Sequence, residues 1–191
     1  MNTSLTKFTN KIPFWRPRIA PVKLDKATDE QLNAMKVTPS DTGIGEYVLV
    51  LAHDPEMLHA RTPLFNGIMY SHGGLSRQET ELGAVATSVL NHCIYCTAVH
   101  ANRYNQLTET EEVMESIFAD QTSANLSDRQ KAIFNFATKL SSTPSEWSEA
   151  DLLALVESGL SKDEILDLVL VSSLFAWANR LMHILGDPIE L

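Results

Sequence analysis

The chain has 191 residues, of which 44% are hydrophobic and 20% are charged, so it can bury the core of one domain or of two small packed halves. Its net charge is -9 and no cluster of Lys and Arg stands out, which makes nucleic acids and anionic membranes poor partners because both bind concentrated positive surfaces. Residues 1–20 contain no apolar stretch that resembles a secretory signal, and the apolar-rich run Leu166–Ala178 is too short to span a bilayer. We therefore expect a cytoplasmic protein with no membrane partner.

The first part of the chain, residues 1–27, is predicted to be an extended arm. Three prolines interrupt it, and its apolar residues show no helical period. An arm of this kind has no means of burying itself in a small helical monomer, so we expect it to lie on a core or on a neighbouring subunit. Residues 28–191 are predicted to form a single helical domain, in which Pro39–Gly45 is rich in turn-forming residues.

Signals for helix starts recur along this domain. A Thr or Ser that can accept a hydrogen bond from a free backbone N–H is followed three residues later by a side chain that can reach back to it. These capping boxes begin at Thr28, Ser76, Ser127, Ser148 and Ser161. Apolar residues then repeat at helical spacing, and the short β-branched run Tyr47–Leu51 leads into His53–Arg61, which favours a helix. No alternating pattern with Asn-Gly or Asp-Gly turns is present, so the sequence predicts an all-α fold.

A weak internal similarity divides the domain into two halves. Gly74–Glu79 resembles Gly159–Glu164, so residues 45–107 and 127–186 could be two copies of one unit, of which the first alone carries polar chemistry. A capping box used twice would produce the same similarity without any duplication. Both interpretations stay open from the sequence.

The candidate chemistry lies between Glu81 and His100. The two cysteines of the chain, Cys93 and Cys96, share one helix face with His100, because residues three, four and seven positions apart on a helix point the same way. A free thiol with a pKa of about 8.5 is weakly ionised at neutral pH, so a nucleophilic cysteine needs a nearby base or positive charge. His100, one turn after Cys96, could supply either. Cys96 is therefore expected to have the lower thiol pKa of the pair.

Glu81 can reach this group only if the chain turns. Along a straight helix it would lie about 18 Å from Cys93. Asn91 is a favourable N-cap residue, so we predict that one helix ends near Leu90 and that a second begins at Asn91 or His92. The first helix then folds back and brings Glu81 toward the histidine. Both cysteines would lie in the first turns of the second helix, where the helix dipole favours a thiolate.

Other interpretations of these residues stay open. The cysteines could be small core residues, Glu81 a solvated carboxylate at the edge of an apolar stripe, His100 an ordinary surface or core histidine, and Tyr95 a packing residue. A zinc site built from the two cysteines with His92 and His100 is disfavoured, because the side chains of His92 and the adjacent cysteine would point about 100° apart on a helix. Covalent haem attachment requires a histidine directly after the second cysteine, where this chain has Thr97. We expect no metal and no other cofactor.

The stretch from Glu81 to His100 resembles the alkylhydroperoxidase D / carboxymuconolactone decarboxylase superfamily, and within it a group of peroxidase-related proteins of about this length. The shared motif is a glutamate followed by Cys-x-x-Cys-x-x-x-His, here Glu81, Cys93, Cys96 and His100. The resemblance extends from about Gly45 to Gly186. It implies an all-helical fold and a homo-oligomer, either a trimer or a hexamer.

The resemblance also implies roles for these residues. Cys96 would attack the peroxide, Cys93 would resolve the intermediate, and Glu81 and His100 would move the proton. The best-known peroxidases of the family carry a histidine where this chain has Tyr95, so Tyr95 is a further candidate for the relay. The decarboxylase branch lacks the cysteine pair, which argues against that activity.

The function that the resemblance implies is a thiol-dependent peroxidase. Such an enzyme reduces a hydroperoxide and is returned to its thiol form by an external dithiol or thiol–disulfide reductant. Two alternatives stay open: a disulfide reductase that uses the same cysteines, and a non-catalytic oligomeric protein that binds a small molecule or senses redox state. Peroxide consumption in the presence of a dithiol separates the first from the others.

Overall fold

The computed structural model describes residues 3–35 and 43–190, so most of the predicted turn at Pro39–Gly45 lies outside the described residues. Within them, helices account for most of the structure, which confirms the predicted all-α fold. The helices are α1 (Asp29–Ala34), α2 (Glu46–Leu51), α3 (Pro55–Tyr70), α4 (Arg77–Leu90), α5 (Ile94–Thr108), α6 (Glu112–Asp120), α7 (Asp128–Ser141), α8 (Glu149–Glu157) and α9 (Lys162–Leu185). Two short strands, β1 (Phe14–Pro17) and β2 (Gly186–Ile189), form an antiparallel ribbon that the sequence did not predict.

The helix starts follow the predicted capping boxes. Complete boxes begin α1, α4, α7 and α9, with a hydroxyl that accepts the N3 backbone N–H and an N3 side chain that accepts the N-cap N–H. At α8 the Asp151 carboxylate accepts from both the N–H and the hydroxyl of Ser148. The run Tyr47–Leu51 lies in α2 and is helical. The helix expected at His53–Arg61 is α3, which starts at Pro55 after the N-cap Asp54.

Helix α4 lies at the centre of the molecule, and every residue from Thr80 to Val89 is buried. It packs against α5, α7 and α9. Its small residues permit this close packing: a Cβ added at Gly83 would lie 3.1 Å from both Leu168 and Val171 of α9. Glu81 is carried on this helix into the protein interior, where a carboxylate needs polar partners.

Helix α9 contains the apolar run Leu166–Ala178 as the middle of 24 residues, so the helix is longer than that run alone. Of the described helices, α9 alone has the length and mean hydropathy, 1.5, of a membrane-spanning segment. Its buried face, which includes Leu168, Val171 and Phe175, packs in the core with α4 and α7. This is the arrangement of a core helix in a helical domain.

The N-terminal arm packs on its own chain. In the ribbon Trp15 pairs with Pro188, and Leu5 N–H donates to the Pro188 carbonyl over 2.8 Å. Trp15 is only 3% exposed. The premise that the arm cannot bury itself within a helical monomer is therefore wrong, because the arm pairs with strand β2 directly after α9. The sequence did not reveal this partner strand because it is only four residues long. The predicted domain limits at residues 27 and 28, and the two-copy origin of the domain, stay predictions.

Candidate active site

A tight turn joins α4 to α5 and sets the position of the cysteines. Helix α4 ends at Leu90, as predicted, but Asn91 is its C-cap and not the N-cap of α5. His92 has a φ of 52°, its N–H donates to the Val89 carbonyl, and Cys93 N–H donates to the Ser88 carbonyl. This is the Schellman pattern that closes a helix.

The N-cap of α5 is therefore Cys93, and the predicted helix start at Asn91 or His92 is wrong. Asparagine is favourable at both ends of a helix. Here the side-chain amide of Asn91 donates a hydrogen bond to Oδ1 of Asn179, on α9, over 3.1 Å. Cys93 at the N-cap and Cys96 three residues later lie in the first turn of α5, close to where the sequence predicts them.

Glu81 and His100 meet in the interior between α4 and α5. Glu81 is fully buried, which excludes a solvated edge carboxylate, and its Oε2 lies 2.5 Å from His100 Nδ1. The other oxygen, Oε1, lies 2.5 Å from Arg77 Nη2. The His100 ring packs edge-on against Phe175 with centroids 4.4 Å apart. Arg77 was not singled out from the sequence, although its position four residues before Glu81 is the spacing of a helical ion pair.

The two thiols are free, buried and in contact, with the sulfur atoms of Cys93 and Cys96 2.9 Å apart. The hydrogen bond from the Cys96 thiol lowers the pKa of Cys93 and outweighs burial, and the backbone N–H of Cys96 adds to the effect. The hydrogen bond to Cys93, together with burial, raises the pKa of Cys96 well above its usual range. In the reduced pair Cys93 therefore ionises first.

The direction of these shifts is opposite to the prediction that Cys96 has the lower thiol pKa. That prediction relied on His100 being one turn away, yet among the described residues no hydrogen bond joins His100 to either sulfur. The N-cap position favours Cys93 instead, because a thiolate there meets the free N–H groups of the helix start.

Asn179 is a fully buried polar residue on α9 that was not singled out from the sequence. Its amide donates to Ser88 Oγ over 3.1 Å. A hydrogen bond from Asn179 also helps to lower the pKa of Cys93 and opposes part of the rise in the pKa of Cys96. An amide on the buried face of an apolar helix was the signal that could have identified it.

A pocket of about 170 Å³ opens beside Cys93. The N-terminal arm and β2 form one side of it, and Trp15, Tyr95 and Met182 lie around the sulfur. Tyr95, the predicted relay candidate, is half-buried here, and burial raises its pKa. Cys93 lines this pocket and Cys96 does not.

Tyr47 lies on a second side of the cysteine pair, and the Arg61 guanidinium lies 6.0 Å from the centroid of its ring. Neither residue was identified from the sequence as part of the site. Tyr47 packs against the cluster that contains both cysteines and edge-on against Trp15, with ring centroids 5.7 Å apart. Burial raises the pKa of Tyr47 to about 12. Arg61 stacks over Phe65 at 4.2 Å. No pattern in the sequences of α2 and α3 indicates that Tyr47 packs close to the cysteines.

His92 lines the same pocket as Cys93 and contacts the N-terminal arm. Its ring stacks on Phe8 of the arm with centroids 6.0 Å apart. Within residues 3–35 and 43–190, no group of three or more His, Cys, Asp or Glu side chains is placed to hold a metal ion.

Known proteins share this architecture. Residues 55–139, which run from the start of α3 into α7, match the model of the carboxymuconolactone decarboxylase family. No curated protein matches the chain. A peroxidase-related protein from Ralstonia eutropha JMP134, described as an alkylhydroperoxidase AhpD core, is 26% identical, covers 93% of each chain and superposes with a TM-score of 0.79.

Two further structures show the same fold. A peroxidase-related protein from Silicibacter sp. TM1040 is 26% identical over 90% of this chain and 93% of its own, with a TM-score of 0.76. The debrominase Bmp8 is 16% identical over 91% of this chain and 92% of its own, with a TM-score of 0.74. At that level of identity the debrominase shows likeness of fold alone.

Proposed function

Because the chain belongs to the alkylhydroperoxidase D / carboxymuconolactone decarboxylase superfamily, we propose that it is a thiol-dependent peroxidase that reduces hydroperoxides through Cys93 and Cys96. The observation that carries the proposal is the sulfur pair at the start of α5, 2.9 Å apart, with one thiol favoured as thiolate and open to a pocket. Two peroxidase-related proteins with the same fold support it. We further propose a cytoplasmic homo-oligomer, a trimer or hexamer, that needs no metal or cofactor.

In the first step the Cys93 thiolate attacks the terminal oxygen of the hydroperoxide. The S–O bond forms, the O–O bond breaks, and the sulfur is oxidised by two electrons to a sulfenic acid. The second oxygen leaves as an alkoxide and takes up a proton to become the alcohol. This step exchanges the cysteine roles that the resemblance implies, because Cys93 has the lowered pKa and lines the pocket.

In the second step Cys96 attacks the sulfenic sulfur of Cys93. The S–S bond forms, the S–O bond breaks, and hydroxide leaves and is protonated to water. Cys96 must lose its proton first, and its raised pKa makes a base necessary. His100, one helical turn away, accepts this proton through a water and returns one to the leaving hydroxide. Glu81 holds the imidazole in position through its 2.5 Å contact with Nδ1.

An external dithiol closes the cycle. Its thiolate attacks the disulfide, a mixed disulfide forms, and its second thiol releases the reduced pair. The dithiol supplies the two electrons that the peroxide consumed, so hydroperoxide and dithiol are converted to alcohol, water and oxidised dithiol.

The test is peroxide consumption with dithiothreitol by the wild type, Cys93→Ser and Cys96→Ser, together with dimedone trapping of sulfenic acid in the same proteins after dithiothreitol has been removed. We expect Cys93→Ser to consume no peroxide, and Cys96→Ser without dithiothreitol to react once and carry the trapped sulfenic acid on Cys93. Trapping on Cys96 in the Cys93→Ser variant would restore the roles implied by the resemblance. A wild type that reduces a protein disulfide but consumes no peroxide would instead be a disulfide reductase.

A further inference from the structure

Trp15 brings the N-terminal arm into the site. The side chain is 3% exposed and belongs to the cluster that contains Cys93, Cys96 and Met182. It also lines the pocket that opens at Cys93. Backbone pairing in the ribbon holds it there, because Trp15 lies opposite Pro188 of β2.

The indole N–H of Trp15 has no hydrogen-bond partner among the described residues, although the nitrogen is buried. A buried indole N–H normally finds an acceptor, because leaving it unpaired costs free energy. The ring lies against Gly186: a Cβ there would lie 2.3 Å from Cε2, the atom bonded to Nε1. Trp15 and Gly186 both line the pocket, so the ring that carries the unpaired donor forms part of the cavity wall.

The size of the pocket limits what can accept from this donor. Its volume is about 170 Å³, and an engineered cavity of about 150 Å³ in another protein holds one benzene molecule. A hydroperoxide with an organic group of about one small ring therefore fits beside Cys93, and a long lipid chain would have to extend into solvent.

We propose that Trp15 is a catalytic residue whose indole N–H donates a hydrogen bond to the leaving oxygen when Cys93 attacks a small organic hydroperoxide. The inference rests on the proposed peroxidase function. As the S–O bond forms and the O–O bond breaks, negative charge develops on the leaving oxygen. The indole stabilises this charge and keeps its own proton, and the alkoxide takes its proton from water. A donor fixed in a buried site is effective because it needs no reorganisation during the reaction.

The test compares two classes of oxidant in wild type and Trp15→Phe. An alkyl hydroperoxide expels a basic alkoxide and needs the donor, whereas a peroxycarboxylic acid expels a stable carboxylate and does not. We expect Trp15→Phe to slow oxidation by tert-butyl hydroperoxide about 10²-fold, as removal of one oxyanion donor does elsewhere. The rate of oxidation by peracetic acid should change by less than about threefold, because the leaving carboxylate does not need the donor. Trp147→Phe is the matched control, since it makes the same substitution at an exposed site and should leave both rates unchanged.

A second measurement separates the donor from packing. Alkylation of Cys93 by iodoacetamide expels iodide, which needs no hydrogen bond, so its rate should stay close to wild type in Trp15→Phe. Replacing Trp15 by benzothienylalanine, in a chain whose other tryptophans are Phe, removes the N–H but keeps the bicyclic shape and should reproduce the selective loss.

Equal losses with both oxidants, or alkylation slowed as much as peroxide reduction, would overturn the role of Trp15. If the wild type consumes neither oxidant, the proposed peroxidase function falls together with it. If the wild type is active and the benzothienylalanine protein matches it, the inference alone falls.

Discussion

Glu81 Oε2 lies 2.5 Å from His100 Nδ1 although nineteen residues separate them along the chain. The same carboxylate holds Arg77 on its other oxygen, and it is fully buried in the central helix. One side chain thus fixes the orientation of the imidazole and balances a charge at the start of α4. Changes at Glu81 should therefore affect both turnover and stability, and the two effects can be separated.

Glu81→Gln is expected to lower peroxide turnover by about 10²-fold or more, because the amide cannot support proton transfer at His100. Stability should fall by about 1–3 kcal/mol, since the neutral amide weakens the hydrogen bond of the buried carboxylate with His100 and removes its ion pair with Arg77. Turnover at matched folded fraction and urea denaturation measure the two effects. Glu79→Gln on the same helix is the control: it weakens the 2.5 Å contact with Arg129 but should keep turnover near wild type. Unchanged turnover in Glu81→Gln would remove the carboxylate from the relay.

Cys96→Ser and Cys96→Ala should differ in the reactivity of Cys93. Serine keeps a hydrogen-bond donor beside the Cys93 sulfur, whereas alanine removes it, so the pKa of Cys93 should be higher in the alanine variant. Iodoacetamide alkylation followed across pH gives both values. Because the pKa of Cys93 is lowered in the folded pair, its alkylation rate should decline only when pH falls through that lowered value. Faster alkylation of Cys96 in Cys93→Ser than of Cys93 in Cys96→Ser would contradict the assignment.

Arg129→Gln is expected to lower stability by about 1–3 kcal/mol at neutral pH. Arg129 lies 2.5 Å from both Glu79 and Glu164, which lie in the first turns of α4 and α9. Burial raises the pKa of Glu79, but hydrogen bonds from Arg129 and Ser76 leave it below its usual value. The Ser161 N–H and Arg129 lower the pKa of Glu164.

These lowered values give the sign of the pH dependence. A carboxylate with a depressed folded pKa stabilises the protein above its unfolded pKa of about 4.3, and the contribution is lost as pH falls through the folded value. The stability gap between wild type and Arg129→Gln should therefore close in acid. Urea midpoints at neutral and acidic pH measure the gap, with Lys131→Gln on the same helix as a charge-matched control. A gap that stays constant with pH would show that packing of the arginine, and not its charge, matters.

The homo-oligomer should form through α9. Its exposed side carries apolar residues at helical spacing, namely Leu166, Leu170, Trp177 and Ile184. Apolar stripes of this kind are typical of interfaces. We expect light scattering to give a multiple of 21.2 kDa for the wild type, and Leu170→Glu to shift it toward the monomer. Leu64→Glu, an exposed apolar position on α3, should leave the mass unchanged. A wild-type mass of one chain would exclude the oligomer, and an intact oligomer in Leu170→Glu would move the interface elsewhere.

Local signals in the sequence predicted much of the fold. A capping box needs only four consecutive residues, so each predicted start coincides with a helix start. The approach of Glu81 to His100 also followed from the sequence, because a straight helix made the distance too long and forced a turn before Cys93.

Features that depend on packing between distant segments were missed. The strand pairing of Trp15 with Pro188 joins two four-residue segments from opposite parts of the chain, and neither has an alternating pattern long enough to identify. The lower pKa of Cys93 follows mainly from the hydrogen bond between the two thiols, and the direction of that bond cannot be read from the sequence. The helix start was also predicted two residues too early, at Asn91 and not at Cys93. Helix ends are the least certain part of a sequence-based assignment.

The Schellman turn at His92 has a consequence for how this segment can change in length. Backbone hydrogen bonds close the turn and fix its conformation, so the length of α4 sets the distance between Glu81 and Cys93. One residue inserted between them would rotate Glu81 by about 100° about the helix axis and shift it by about 1.5 Å, away from the imidazole. An insertion of a nearly whole turn would restore the direction of the side chain but move it about 5 Å along the axis. The interval between this glutamate and the first cysteine should therefore tolerate no insertion or deletion.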